Sequence, residues 1–435
     1  MLLALLVSGS ILLSGCAGFG DDSLLHPPKT TGKEAEIEKL IGETAGGGYM
    51  LKYPRSGQYR SAVVTEDFNN DKKDEAIAFY RTGTGEPSTH MLVMYDNGKN
   101  WKIAGDYETK FTDIDRVVFA DIDLDGLSEI FVGFTGFTGA INELRIFDFS
   151  EDMSSVSELD FSASYSGFTA DDYDRDGASE LLTFSLKTAD TDAEARLYDY
   201  ADGALYSLSS CEMDPEIGRY DNICSGRLSD ETKGVVIDGV KDSVYSSQVI
   251  FYDYAEAELR NYPYTTSKKR NPTVRSMKIF SGDIDNDDII EIPKAGEAPA
   301  LSTEEETVIP VINWSTLNSE TAKLTDDKSC LMNPDFSYYL TLPESFKDTT
   351  VATLSKDSRT LKVYALSGDE KGGLIFTIKV SDVGSAKKMS GYKTLESYNQ
   401  YRYTYKIDEN MPIYISDTML KESFSIYETS SGTDI

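Results

Sequence analysis

The chain has 435 residues, with 74 Asp and Glu against 42 Lys and Arg, for a formal net charge of −32. That imbalance argues against nucleic acid as a partner, because affinity for a phosphate backbone depends on Lys and Arg neutralising it. Hydrophobic residues make up 40% of the chain, enough for a substantial core, while only two histidines leave almost no scope for His-based acid–base or nucleophilic chemistry.

In chain order, the first element is an apolar run that starts at Met1-Leu2-Leu3 and ends at Leu13-Ser14-Gly15-Cys16. It is too short to span a bilayer and reads as a secretion signal, although no Lys or Arg precedes it. Leu13-Ser14-Gly15-Cys16 resembles the bacterial lipoprotein lipobox, which implies lipidation at Cys16 and a membrane-anchored protein on the extracytoplasmic face. Residues 17–48, with Pro27-Pro28 and Gly46-Gly47-Gly48, are expected to be a tether carrying a short helix over 34–43. No later run is apolar enough to cross a membrane, so anchoring would rest on the lipid.

The repeats come next. A nine-residue acidic cassette occurs four times, each time after a β-like apolar run. It reads Asp67-Phe68-Asn69-Asn70-Asp71-Lys72-Lys73-Asp74-Glu75, then Asp121-Ile122-Asp123-Leu124-Asp125-Gly126-Leu127-Ser128-Glu129. The third is Asp172-Tyr173-Asp174-Arg175-Asp176-Gly177-Ala178-Ser179-Glu180, and the fourth Asp283-Ile284-Asp285-Asn286-Asp287-Asp288-Ile289-Ile290-Glu291. Oxygen ligands at positions 1, 3, 5 and 9 with a tight turn near position 6 suit a hard cation such as Ca²⁺. Asn and Asp also dominate ordinary turns. It is recurrence in register that points to metal.

Position 1 falls at 67, 121, 172 and 283, spacings of 54, 51 and 111. The doubled gap places a fifth, ligand-free repeat near Gly226-Arg227-Leu228-Ser229-Asp230-Glu231. An aromatic-Asp pair follows each repeat's first half, at Tyr95-Asp96, Phe147-Asp148, Tyr198-Asp199 and Tyr252-Asp253, and confirms the count. Each repeat holds four β-type runs, seen in the second at 116–120, 129–134, 144–149 and 156–159. Four strands in about 54 residues make a blade, and radial blades make an all-β propeller of four-stranded antiparallel sheets. Five repeats are recognisable over 49–330. Residues 331–435 are β-rich, at 338–342, 360–366 and 374–380, and form either two degenerate blades, for seven in all, or a small separate domain.

Apart from Cys16, the cysteines are Cys211, Cys224 and Cys330. Cys211 and Cys224 are placed to form a disulfide in an exported protein or to remain buried thiols.

Cassettes of the form Asp-x-[Asp/Asn]-x-Asp-Gly-x-x-[Asp/Glu] at this spacing resemble the FG-GAP/VCBS repeats of integrin-α-like β-propellers, over roughly residues 55–330. The resemblance implies that the loop joins the first two strands of a blade and holds Ca²⁺. It assigns as ligands Asp121, Asp123, Asp125, Glu129 and the carbonyl of Leu127, and likewise Asp172, Asp174, Asp176, Glu180 and the carbonyl of Ala178. Asp67, Asn69, Asp71 and Glu75 form a poorer set because Lys72 stands at the turn, and Asp283, Asp285, Asp287 and Glu291 do so because Asp288 does. This calcium is expected to be structural.

No catalytic constellation is evident: there is no phosphate-cradling Gly-rich loop and no Gly-x-Ser-x-Gly elbow. The leading expectation is therefore a non-enzymatic, lipid-anchored module that binds an unknown protein or glycan at the cell surface. The alternative is a carbohydrate-active enzyme using carboxylates in the propeller channel.

Overall fold

A computed structural model describes residues 32–427, apart from 83–87, 137–141, 264–270, 319–320, 322 and 386–389. The lipobox, Cys16, His26 and Pro27-Pro28 lie outside the described residues. The described chain is all-β, built as six antiparallel sheets of four to six strands.

The first sheet joins Tyr49–Lys52 and Val63–Glu66, which share one neighbour, to Glu75–Thr82, Thr89–Asp96 and Trp101–Thr109. The second contains Asp113–Ala120, Glu129–Thr135 and Asn142–Phe149, with Val156–Glu158 and Ala163–Tyr165 along its outer edge. The expected runs of this repeat match these strands to within three residues. The third runs Gly167–Asp171, Glu180–Ser185, Glu194–Ala201 and Ala204–Glu212; the fourth Arg219–Ser229, Thr232–Lys241, Val244–Asp253 and Glu258–Tyr262. In the fourth, the short Asp230-Glu231 turn stands where the others carry a cassette, so the ligand-free repeat is a sheet like its neighbours.

Central strands are buried on both faces, which is why they read as continuous apolar runs. In Glu129–Thr135, Ile130, Val132 and Phe134 pack with Phe68, Ile77 and Val93 of the first sheet. Phe131 turns the other way, onto Phe168 and Leu181 of the third. The third and fourth sheets share Leu182, Phe184, Ile223 and Val235, and the fourth and fifth share Val236, Val249, Ile292 and Leu317. Sheets thus stack face to face in chain order.

The two ends of this series differ from expectation. Helix α1 (Lys33–Thr44) buries Ile37 and Ile41 against Ala76, Leu92 and Trp101, on the face of the first sheet that a preceding sheet would cover. That part of the expected tether is therefore packed structure. Residues 331–427 divide between two sheets, both of which also take strands from before 331. The fifth sheet is Ile292–Ala295, Ile312–Asn318, Lys323–Asn333 and Tyr338–Thr341, completed by Phe424–Ile426 from the far end of the chain. The sixth takes Glu306–Ile309 from the preceding repeat, then Thr350–Ser355, Thr360–Ser367, Glu370–Asp382, Tyr401–Ile407 and Lys393–Tyr398. The boundary expected at 330 falls inside Lys323–Asn333. Leu331, Tyr338, Leu340, Val363, Phe376 and Tyr403 form the core between these two sheets, with α2 (Asp417–Ser423) adding Leu420. Among the described residues, no buried apolar cluster joins the sixth sheet to the first.

The chain between the fourth and fifth sheets is fixed by a buried ion pair. Arg275 donates to Asp238 at 2.8 Å, both side chains fully buried, and Asp238 also accepts from Ser247, Ser281 and Asn222. Charges so enclosed persist only when paired and hydrogen-bonded in this way.

Candidate metal centres

All four cassettes adopt one backbone course. Position 4 is left-handed at Asn70, Leu124, Arg175 and Asn286, with φ between 56° and 62°. Position 6 is left-handed too, at Lys72, Gly126, Gly177 and Asp288. The sequence pointed only to the second of these turns. A left-handed residue with a Cβ costs ~1–2 kcal/mol, so Lys72, Leu124 and Arg175 each carry a strain that the loop must offset.

Side-chain oxygens capture the loop's own N–H groups. The position-5 N–H donates to the position-3 side chain at Asp71→Asn69 (2.9 Å), Asp125→Asp123 (3.1 Å) and Asp176→Asp174 (3.1 Å). The position-6 N–H donates to the position-1 carboxylate at Lys72→Asp67, Gly126→Asp121 and Asp288→Asp283. The position-8 N–H reaches the preceding sheet: Ser128 to the Phe68 carbonyl, Ser179 to Asp121 and Ile290 to Arg227, each at 2.8 Å. These links place the loops along one common edge of successive sheets.

At position 9, Glu75, Glu129 and Glu180 open the strand after the loop, Glu291 directly precedes Ile292–Ala295, and all four are buried. Each accepts from the N–H of position 2, at Phe68 (3.0 Å), Ile122 (2.8 Å), Tyr173 (2.7 Å) and Ile284 (2.9 Å). This clamp explains why Glu stands in all four loops: its extra methylene lets it enter the strand and still reach back to the loop. The second oxygen, Oε1, has no hydrogen-bond partner in Glu129 and Glu180, and Asp172 Oδ1 is likewise buried without one. Burial pushes Glu129, Glu180 and Glu291 up to about 8 and Glu75 up to about 7, the neighbouring aspartates adding to the effect against the N–H bond. Asp123 and Asp174 are raised by the same burial.

These donors converge to different degrees. In the third cassette Asp172, Asp174, Asp176 and Glu180 bring one oxygen each within 4.8 Å of one another. Asp121, Asp123 and Glu129 do so in the second, without Asp125, and Asp283, Asp285 and Glu291 in the fourth, without Asp287. The fourth loop, doubtful from its missing glycine, converges as well as the second because Asp288 adopts the required turn. The first forms no such carboxylate group; Lys73 Nζ lies 3.0 Å from Asp71 Oδ2 and occupies the oxygen a cation would use. The carbonyls of Leu127 and Ala178 follow the same left-handed glycines in the second and third loops. Several carboxylate clusters can therefore hold a metal ion, and the unpartnered buried oxygens of Glu129 and Glu180 fit that role.

One group escaped the sequence reading. Asp148, used there only as a spacing marker, has a buried Oδ1 without a partner, and its carboxyl is raised by burial and by the charges of Asp123 and Asp125. The near-constant offset of the aromatic-Asp pair from the cassette, 29 residues in the first repeat and 27 in the next two, was the signal. Of the two alternatives for Cys211 and Cys224, disulfide or free thiols, the structure has the thiols. Cys211 packs between the third and fourth sheets and Cys224 on the opposite face of the fourth, so both are free thiols, as is Cys330.

Two clefts adjoin the loops. One, of about 250 Å³, lies beside the fourth cassette and is lined by Asp283, Asn286, Tyr339 and Tyr427. The other lies beside the third and brings Asp172, Arg175, Arg227 and Lys233 together.

No family model matches the chain, and no curated protein matches it in sequence. Among solved structures it is similar to the exotype rhamnogalacturonan lyase YesX, at 9% identity over 77% of this chain and 73% of that one, with a TM-score of 0.32. It is also similar to the Pseudomonas aeruginosa periplasmic gluconolactonase PpgL, at 12% identity over 67% of this chain and 93% of that one, with a TM-score of 0.28. Both are described as enzymes, and the expectation of a non-enzymatic chain is not carried further.

Proposed function

We propose that this chain is an exported β-propeller of the carbohydrate-active kind, akin to FG-GAP/VCBS proteins, whose blades are held by Ca²⁺ in the cassette loops. The observation that carries the metal assignment is the pair of buried Oε1 atoms of Glu129 and Glu180, unpartnered and set among aspartates. Sheets stacked in chain order with their loops on one edge support the propeller reading. The all-oxygen donor sets favour a hard cation, and weak sites of ~10⁻⁴–10⁻³ M would fill outside the cell. Bound Ca²⁺ would supply the positive charge that lets clustered carboxylates ionise together.

For the carbohydrate part, support comes from clefts beside the third and fourth loops, where carboxylates meet Arg, Lys and Tyr side chains suited to sugar hydroxyls and acids. The rhamnogalacturonan lyase and the gluconolactonase suggest which substrates to screen first. The lipobox-like Leu13-Ser14-Gly15-Cys16 supports anchoring through Cys16.

The test has three arms. Ca²⁺ should raise the melting temperature of EDTA-stripped protein, and an unchanged melt would refute the metal assignment. Incubation with pectic polysaccharides and aldonolactones should release reducing or unsaturated sugar, or open the lactone; binding without turnover throughout would refute the catalytic part. Fatty-acid labelling should be lost in Cys16→Ala, and equal labelling would refute the anchor.

A further inference from the structure

The last sheet has a face that no other element covers with apolar residues, and its chemistry opposes that of the chain as a whole. In its central strands Leu361, Val363, Phe376, Ile378, Tyr403 and Tyr405 enter the core shared with the fifth sheet. Alternation turns their neighbours to the other side. Cross-strand partners there form one row of Lys362, Thr377 and Lys406, and another of Lys379 and Thr404, with Arg402 opposite Ser381 beyond them. Lys371 joins this face beside Tyr364, 5.4 Å from its ring centroid, and Lys379 lies 5.1 Å from that of Tyr392.

Five cations thus share a hydroxyl-rich face in a chain of net charge −32. Alternation puts no carboxylate there from the four central strands. Glu306 of the edge strand reaches in and pairs with Lys362 and Lys371, at 2.5 Å and 3.4 Å. Among the described residues, Lys379, Arg402 and Lys406 have no ion-pair partner.

We propose that this face binds an acidic polysaccharide chain lying across the strands. Lys362 and Lys406 sit two strands apart, roughly 10 Å at ~4.8 Å per strand, so a row presents positive charge at intervals along an extended polymer. Ser381 and the tyrosines supply hydrogen-bonding groups for sugar hydroxyls between those charges, while Thr377 and Thr404 are buried among the cations. Its aromatic side chains, Tyr364 and Tyr392, lie against Lys371 and Lys379 instead of standing free as the anchor of a protein interface. It also lacks an exposed apolar wedge for a bilayer. The inference rests on the surface of the sixth sheet and is independent of the cassette loops and of their metal.

The test uses the full chain in EDTA, with polygalacturonate as the acidic probe, dextran as the neutral one and anionic phospholipid vesicles as the alternative polyanion. Polygalacturonate should bind, dextran should not, and binding should weaken with salt as exposed charges are screened. The triple variant Lys379→Glu, Arg402→Glu, Lys406→Glu should lose at least tenfold in affinity. A charge-matched control at exposed sites on the first sheet and its following turn, Lys99→Glu, Lys102→Glu, Lys110→Glu, should change it less than twofold. Lys379→Arg should retain binding. Matching melting curves would show that the triple variant folds. Absence of polygalacturonate binding, equal loss in the control, or vesicle binding as tight as glycan binding would each overturn the proposal.

Discussion

Replacing Glu180 by Gln should stabilise the cation-free protein at alkaline pH and abolish its response to Ca²⁺. Glu180 is wholly buried, and its Oε2 accepts from Tyr173 N–H at 2.7 Å and Asp174 N–H at 3.0 Å. A Gln carbonyl can keep both bonds, and its amide can donate to the aspartates around the unpartnered Oε1. Burial, then the charges of Asp174 and Asp172, raises the Glu180 carboxyl from 4.5 to about 8. The folded state therefore holds the proton more tightly than the unfolded chain, and stability falls as pH climbs from about 4.5 to 8. Once ionised above that window, the group costs at most ~5 kcal/mol, at about 1.4 kcal/mol per pH unit. Relaxation of the loop and entry of water reduce this to about 2–3 kcal/mol. In a chain this long that is a shift of a few degrees. Melting curves in EDTA at pH 5, 7 and 9 should show the wild type losing ground to Glu180→Gln as pH rises. With Ca²⁺ at pH 9 the order should reverse. A Gln variant that is less stable than wild type at pH 9 in EDTA, by as much as at pH 5, would refute the reasoning.

Further consequences follow from other parts of the fold. Asp238→Ala leaves Arg275 charged and enclosed and should cost about 3–5 kcal/mol by denaturant unfolding, whereas Asp230→Ala, at an exposed turn, should cost less than about 0.5 kcal/mol. Ile41→Asp should detach α1 from the first sheet, lowering the melting temperature and exposing apolar surface that light scattering would register as self-association. Cys211, Cys224 and Cys330 have thiols pushed up to about 12 by burial, so a thiol reagent should modify them only on unfolding, and dithiothreitol should leave the native melting temperature unchanged. Lys73→Ser should free Asp71 and add a calcium response at the first loop, detectable as extra heat in titration.

Much of this was legible in the sequence because the repeat carries its own ruler. Cassette spacing located the strands on either side of the first three loops and the ligand-free fourth sheet, whose hairpin closes over Asp230-Glu231; before the fourth loop only the Gly282–Glu291 bridge forms. The ends were not legible, because periodicity speaks only for units that repeat. Nothing in 331–435 indicates that Phe424–Ile426 returns to the fifth sheet, or that Glu306–Ile309 leaves its own repeat for the sixth. Such pairings are decided by tertiary packing. Within the loops, ligand positions were readable but their convergence was not. Asp288 substitutes well for glycine at a left-handed position, and Lys73 pairs with Asp71 in a loop whose acidic pattern is intact. Asp148 could be placed beside the second cassette only once the strand Asn142–Phe149 had been folded against it.

As cation sites, the carboxylate loops would hold the sheets in place. Isothermal titration of Ca²⁺ into EDTA-stripped protein at pH 8 tests this most directly. Binding should be saturable at up to three sites, the second, third and fourth loops, with Asp123→Asn, Asp174→Asn and Asp285→Asn each removing one and the first loop contributing none. Absence of binding heat, or heat unchanged in all three variants, would contradict this expectation.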